Sequence, residues 1–304
     1  MTRQIGCLTV AAVLGLCCMA APAGDLIVDN VTVYGRHVVT QDVARGSVPT
    51  NGLVLWYDFD TESTATVSDL SGSGNDGTVY NATWTGMGMI GGAFDYNGVS
   101  GASASRIEAA DGASLDITGA LTLSAWINPD YTSVGLIRGI LSKHRSETGY
   151  LNQRSYTLQY DTTSRIIRFA ISATGGIPVA LISASALPPG SWYHVCGVYD
   201  PSNTMRIYIN GVEDNALSSG VPAAIYSSTA PFWVGQTAEA TRGSFDGKID
   251  SCQVYNRALS TNEIQSLYQY NGTNFFAADA QFFGGISHVK ALGDIGMGAY
   301  TNRP

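Results

Sequence analysis

Charge is scarce in this chain. Asp, Glu, Lys and Arg make up 13% of the residues, against about 25% in an average soluble domain. Such a composition argues against a disordered acidic tail, a coiled coil or a charged helical bundle. Cations are the scarcer kind, with 16 Lys and Arg facing 24 Asp and Glu for a net −8. Nucleic acid and anionic membrane surfaces both call for clustered cations, so neither is expected as a partner. Cysteine is sparse too: of five, Cys7, Cys17 and Cys18 fall in the first twenty residues, leaving only Cys196 and Cys252. Two cysteines make no disulfide framework. HExxH, a Ser nucleophile elbow and a P-loop are all missing, and His37, His144, His194 and His288 are too far apart for metal-ligand spacing. Gly72, Gly74 and Gly77 spell GxGxxG, but no helical pattern follows, and a phosphate cradle needs that helix N-terminus. What the chain does hold is glycine, 35 residues without a three-residue period, which excludes collagen and fits a many-turned β protein.

The first 23 residues read as a secretory signal. Arg3 supplies the positive start, residues 5–19 the apolar run, and Ala21-Pro22-Ala23 a small-x-small cleavage site. A membrane anchor competes less well, because the run is short and contains glycine. A lipobox at Leu14-Gly15-Leu16-Cys17 fits poorly, with Leu just before the cysteine. Cleavage leaves a chain expected outside the cell, with no integral membrane segment. There Cys196 and Cys252 either bridge, as an oxidising compartment permits, or are two buried thiols. Residues 24–51 alternate apolar and polar before a Gly/Ser/Pro/Thr stretch and read as a short β-rich stalk and linker. Residues 271–304 form an extension to which no role attaches.

Between them, strand-like runs recur with turn signals. Leu121-Thr122-Leu123-Ser124-Ala125-Trp126-Ile127 alternates strictly, and residues 156–160 and 166–171 flank the polar turn Asp161-Thr162-Thr163-Ser164. Residues 192–212 read as a three-strand meander, turning first at Asp200-Pro201-Ser202-Asn203 and then at Asn210-Gly211, a strong short hairpin signal. One helix is expected, opened by the capping box Ser260-Thr261-Asn262-Glu263 and carrying Ile264, Leu267 and Tyr268 at helical spacing. A dozen strands without βαβ alternation indicate a two-sheet sandwich or jelly roll.

Four stretches then resemble a laminin-G-like domain of the concanavalin A-like jelly-roll superfamily, over residues 52–270. They are Gly52-Leu53-Val54-Leu55-Trp56-Tyr57-Asp58-Phe59-Asp60; Asp69-Leu70-Ser71-Gly72-Ser73-Gly74-Asn75-Asp76-Gly77; Trp192-Tyr193-His194-Val195 through Tyr208-Ile209-Asn210-Gly211; and Gly247-Lys248-Ile249-Asp250 with Tyr255-Asn256-Arg257-Ala258-Leu259-Ser260. The resemblance implies an all-β, two-sheet antiparallel jelly-roll sandwich with one short C-terminal helix. It also implies that the domain's start and end meet and that a structural Ca²⁺ staples the junction through some of Asp60, Asp69, Asn75 and Asp250 with backbone carbonyls. Read as residues alone, the same Asp and Asn are turn formers.

Fold does not decide function here, because lectins, adhesins and glucanases share it. The expected role is non-catalytic binding of a glycan or glycoprotein. Trp84, Tyr131 and Tyr150 are candidate sugar-facing rings, with Tyr80 and Tyr226 beside them. A second reading is a structural or adhesive module of a surface assembly, with residues 25–50 pairing between chains. A third is a glycosidase, whose only carboxylate pattern is Asp58-x-Asp60-x-Glu62. That reading needs the carboxylates on one strand face.

Overall fold

The computed structural model describes residues 47–130, 137–146, 152–239 and 243–270, together with four short strands nearer the N-terminus. Those four form two antiparallel ladders, Leu8–Val10 (β1) with Leu14–Leu16 (β2) and Val31–Tyr34 (β3) with His37–Thr40 (β4). The expected cleavage site, residues 271–304, Tyr131 and Tyr150 lie outside the described residues. The chain divides into two compact units, Met1–Arg45 with Asn271–Pro304, and Gly46–Tyr270. Only the second is described further. Among the described residues no helix is long and apolar enough to cross a membrane.

The second unit is a sandwich of two largely antiparallel sheets. Its strands are Leu53–Tyr57 (β5), Thr66–Val67 (β6), Gly77–Tyr80 (β7), Thr83–Thr85 (β8), Ala93–Asn97 (β9) and Arg106–Ala109 (β10). Leu121–Pro129 (β11), Ile137–Ser146 (β12), Gln153–Asp161 (β13), Ile166–Ile171 (β14) and Val179–Ile182 (β15) follow. Tyr193–Asp200 (β16), Thr204–Ile209 (β17), Val212–Leu217 (β18), Phe232–Val234 (β19), Ala238–Glu239 (β20) and Asp246–Tyr255 (β21) complete the set. One sheet runs β15-β14-β13-β12-β19-β10-β7-β6, with β20 beside β12 in parallel. The other runs β18-β17-β16-β11-β21-β9-β8, with β5 also on β21.

Strand alternation sends one side-chain set inward. Leu123, Ile127, Val195, Ile207 and Ile249 of the eight-stranded sheet meet Leu141, Leu158, Phe169, Phe232 and Val234 of the nine-stranded one, all fully buried. Lys143 is fully buried as well and ion-pairs with Asp111 and Asp116, which a buried charge requires. The expected hairpin turn is present, with Asn210 at φ 50 and Gly211 at φ 77, the left-handed pair that a twisted two-residue turn requires.

The helix Thr261–Gln269 (α1) lies on the other face of the eight-stranded sheet. Ile264 and Leu267 pack there against Cys196, Val198, Tyr208 and Tyr255. Burying each aliphatic side chain is worth roughly 1.5–3 kcal/mol. Tyr268 stacks on Trp126, with centroids 5.6 Å apart. This arrangement answers the cysteine question. Cys196 sits beneath α1 and Cys252 in the core between the sheets, so the two thiols occupy opposite faces of one sheet and both are free. A bridge would need facing Cβ atoms. Burial pushes both thiols up from their ordinary range.

Candidate functional site

The first site grows from a change of partner along β21. Its first half pairs with β9, from Asp246 opposite Asn97 to Ile249 opposite Phe94. Its second half pairs with β5, from Cys252 opposite Tyr57 to Tyr255 opposite Leu53. Asp250 falls in the gap, next to Ser251, which takes a left-handed φ of 46. The register with β11 also shifts there, between Ser124 and Trp126. Into this gap fold the residues after β5 and the glycine-rich segment 86–92. Asp60 Oδ1 accepts from Gly92 N at 3.1 Å, and Asp250 Oδ2 accepts from Ile90 N at 2.8 Å. Trp84 Nε1 donates to Phe59 O at 2.8 Å. At Gly91, with φ 58, a Cβ would overlap Asp60 Oδ1, and at Gly88 it would overlap Gly92 O. Only glycine lets the loop come this close.

The electrostatics of the gap are unfavourable as they stand. Burial raises Asp250 well above the usual carboxylate range, and the charge of Asp60 raises it further, against the N–H groups of Ile90, Ser251 and Met89. Burial raises Asp60 too, with Asp58 adding to it and Gly92 N opposing. Among the described residues Asp250 Oδ1 is buried and takes no well-formed hydrogen bond, although the Ser251 and Met89 N–H groups lie close to the carboxylate. Such an orphaned acceptor costs about 1–3 kcal/mol unless a proton or a cation satisfies it. Among the described residues no three His, Cys, Asp or Glu side chains come together, so a cation here would rest on two carboxylates and backbone oxygens.

Asp69 and Asn75 belong to a different cluster. Asp69 Oδ1 accepts from Trp56 N and Ser71 N, both at 2.9 Å, and Oδ2 from Ser71 Oγ at 2.9 Å and Asn75 N at 3.0 Å. Asn75 Nδ2 donates to Val54 O at 2.6 Å, and its Oδ1 accepts from Ser114 Oγ at 3.0 Å. Their polar atoms are spent on pinning the Ser71–Asn75 turn to β5. The four expected ligands therefore separate into a pair with an unused oxygen and a pair without one. Asp58, Asp60 and Glu62 follow β5 in a loop, with Phe59 at φ 60. Strand alternation does not line them on one face, and the carboxylate pattern of a jelly-roll glucanase is not reproduced.

The second site lies on the outward face of the nine-stranded sheet. Cross-strand register sets Thr78, Glu108, Trp233, Ser142, Thr157 and Ala170 in one row. In the next row Tyr80 stands opposite Arg106. The Arg106 guanidinium carbon lies 4.0 Å from the Tyr80 ring centroid and 4.7 Å from that of Trp233, and its Nε donates to Glu108 Oε2 at 2.8 Å. Tyr80 is the exposed end of this ladder. At its inner end, Trp233 Nε1, Ser142 Oγ and Gln159 Nε2 are buried, with no hydrogen-bond partner among the described residues. Gln159 Oε1, by contrast, accepts from Arg168 Nη1 at 2.7 Å.

Of the rings named from sequence, Trp84 is elsewhere, in the eight-stranded sheet, with its N–H already engaged. Tyr80 is on the ladder. Arg106, Trp233, Ser142 and Gln159 escaped the sequence reading. Alternation in Arg106-Ile107-Glu108-Ala109 marks a half-exposed strand, but only register reveals what stands beside it. His194 of the meander is buried beneath Tyr268, its Nε2 2.9 Å from Ser124 Oγ.

No curated protein sequence matches the chain. Among solved structures it is similar to the binding domain of Paraclostridial Mosquitocidal Protein 1, at 16% identity and TM-score 0.56, covering 72% of this chain and 52% of that one. The chain thus spans about half of that domain. It is also similar to domain 4 of AbnA, an extracellular arabinanase of Geobacillus stearothermophilus, solved with arabinotriose, at 20% identity and TM-score 0.51, covering 71% of this chain and 98% of that one. A third is the Trypanosoma rangeli sialidase with the inhibitor DANA, at 20% identity and TM-score 0.53, covering 73% and 33%. At these identities the likeness is one of fold. The laminin-G-type family model matches residues 100–265, more than half the chain. With the two-sheet architecture, this makes the chain a member of the concanavalin A-like lectin/glucanase superfamily.

Proposed function

We propose that this domain is a non-catalytic module that binds a saccharide on the outward face of its nine-stranded sheet. One observation carries the reading: an aromatic and guanidinium ladder, Tyr80–Arg106–Trp233, lies on the outer sheet face with the Tyr80 ring exposed and the Arg106 side chain partly so. Sugars offer apolar ring faces that lie on aromatic rings and hydroxyls that hydrogen-bond exposed charged groups such as a guanidinium. The solved complex of the AbnA domain with arabinotriose supports a saccharide as ligand for a fold of this kind. The sequence pattern of residues 1–23 sets this reading outside the cell.

A calcium ion at the strand junction belongs to the same reading. Asp60 and Asp250 fit it, because Asp250 Oδ1 has no other partner. Asp69 and Asn75 do not, since their oxygens are engaged. The ion would supply charge neutralisation between two carboxylates and tie the first strand to the last. Binding itself is tested on an array of oligosaccharides with the whole chain. Trp233→Phe, which keeps a packed ring, and Tyr80→Ala at the exposed end are each expected to weaken the best ligand about tenfold or more, with Tyr80→Ala melting close to wild type. Unchanged affinity in both variants would move the site off this face.

A further inference from the structure

We infer that the saccharide taken on this face carries an acidic group, a carboxylate or a sulfate, and that Arg106 is the residue that selects it. The inference rests on the binding reading above and narrows it. Tyr80 and Trp233 come from the strands on either side of β10, so aromatic rings cover the guanidinium from both flanks. Glu108 Oε2 accepts a hydrogen bond from Nε at 2.8 Å and thereby fixes the plane of the group. Among the described residues no protein oxygen accepts from Nη1 or Nη2, and the side chain keeps 22% of its exposure. What remains for a ligand is the Nη1 and Nη2 donor pair of a partly exposed guanidinium whose charge Glu108 already balances in part.

That pair matches two oxygens of a carboxylate or sulfate in a bidentate contact, which a single neutral hydroxyl cannot reproduce. The flanking rings exclude water from the contact and strengthen it. A guanidinium held by stacking and by Glu108 also surrenders little side-chain freedom on binding. Tyr80, the exposed ring, remains available to lie along the sugar that bears the acid.

Matched oligosaccharides test this: a neutral chain, its uronic-acid counterpart and its sulfated counterpart, titrated against the whole chain and against Arg106→Gln. The acidic members are expected to bind about tenfold or more tightly than the neutral one. In Arg106→Gln that difference is expected to vanish, while thermal melting stays near wild type. The uronate and sulfate arms tell which anion is preferred. Equal wild-type affinity for acidic and neutral members overturns the inference but leaves saccharide binding intact. So does an acid preference that survives Arg106→Gln. If no saccharide of any charge binds the wild-type chain, the binding reading falls and this inference with it. Should Arg106→Gln fail to fold, the wild-type comparison decides alone.

Discussion

His194 illustrates how completely burial sets the state of one side chain. It packs against the stacked pair Trp126 and Tyr268, 5.4 and 6.1 Å from their ring centroids. Burial lowers its pKa to about 3 from an ordinary 6.5. The unfolded chain therefore takes up a proton that the folded chain refuses. Stability from the neutral imidazole is full above about pH 6.5 and drains away as pH falls from there toward 3, by up to about 1.4 kcal/mol per pH unit. Urea denaturation between pH 7 and 5 is expected to show this loss in wild type. His194→Gln, which can still bond Ser124, is expected to show a flatter slope; equal slopes would mean that another group carries the titration. The sequence put His194 in the first strand of the meander, where it lies. It did not show that a helix covers that face of the sheet, because the covering residue, Tyr268, is far away in the chain.

Elements were legible where their signals are local. The helix was announced by four residues, and its capping box is formed: Ser260 Oγ accepts from Glu263 N at 3.4 Å, and Ser260 N donates to Glu263 Oε2 at 2.9 Å. Arg257 adds what the motif does not contain. It donates to both Glu263 oxygens, at 3.0 and 2.5 Å, and through Nε to Asn51 O at 2.7 Å. The Arg257 bond, with the Ser260 donors helping, lowers Glu263 to about 2. Ser260→Ala is expected to cost about 1 kcal/mol, read as a lower urea midpoint at pH 7; an unchanged midpoint would show that Arg257 holds the helix entry without the cap. Sheet order was not legible in the same way. Strand β21 divides its edge between β5 and β9, almost two hundred and one hundred and fifty residues upstream respectively, and no local pattern encodes such a pairing. For the same reason four acids that looked like one ligand set became two clusters. Asp69 and Asn75 spend their polar atoms on the turn and on its neighbours Val54, Trp56 and Ser114, whereas Asp60 and Asp250 meet only because the sheet brings the first strand of this unit to its last.

At the scale of the whole molecule that meeting matters most. The sandwich closes where β5, β9 and β21 join, and the join contains two carboxylates, one with a buried and unused oxygen. Each carboxylate raises the cost of ionising its neighbour. A closure of this kind is strained as long as both stay charged and alone. Calcium accepts carboxylate and carbonyl oxygens together at flexible geometry, and it would be bound only by the folded chain, because the unfolded chain separates the two acids. A ligand of the native state alone raises stability by about 2.7 kcal/mol at one hundred times its dissociation constant. Melting of the whole chain is therefore expected to shift upward with added Ca²⁺ and downward with EDTA. Asp250→Asn removes one charge and keeps an acceptor, so it is expected to fold, to relieve the repulsion, and to melt at one temperature whatever the calcium concentration. A wild-type chain that melts identically in calcium and in EDTA would show that a proton, held by Asp250, closes the sandwich instead.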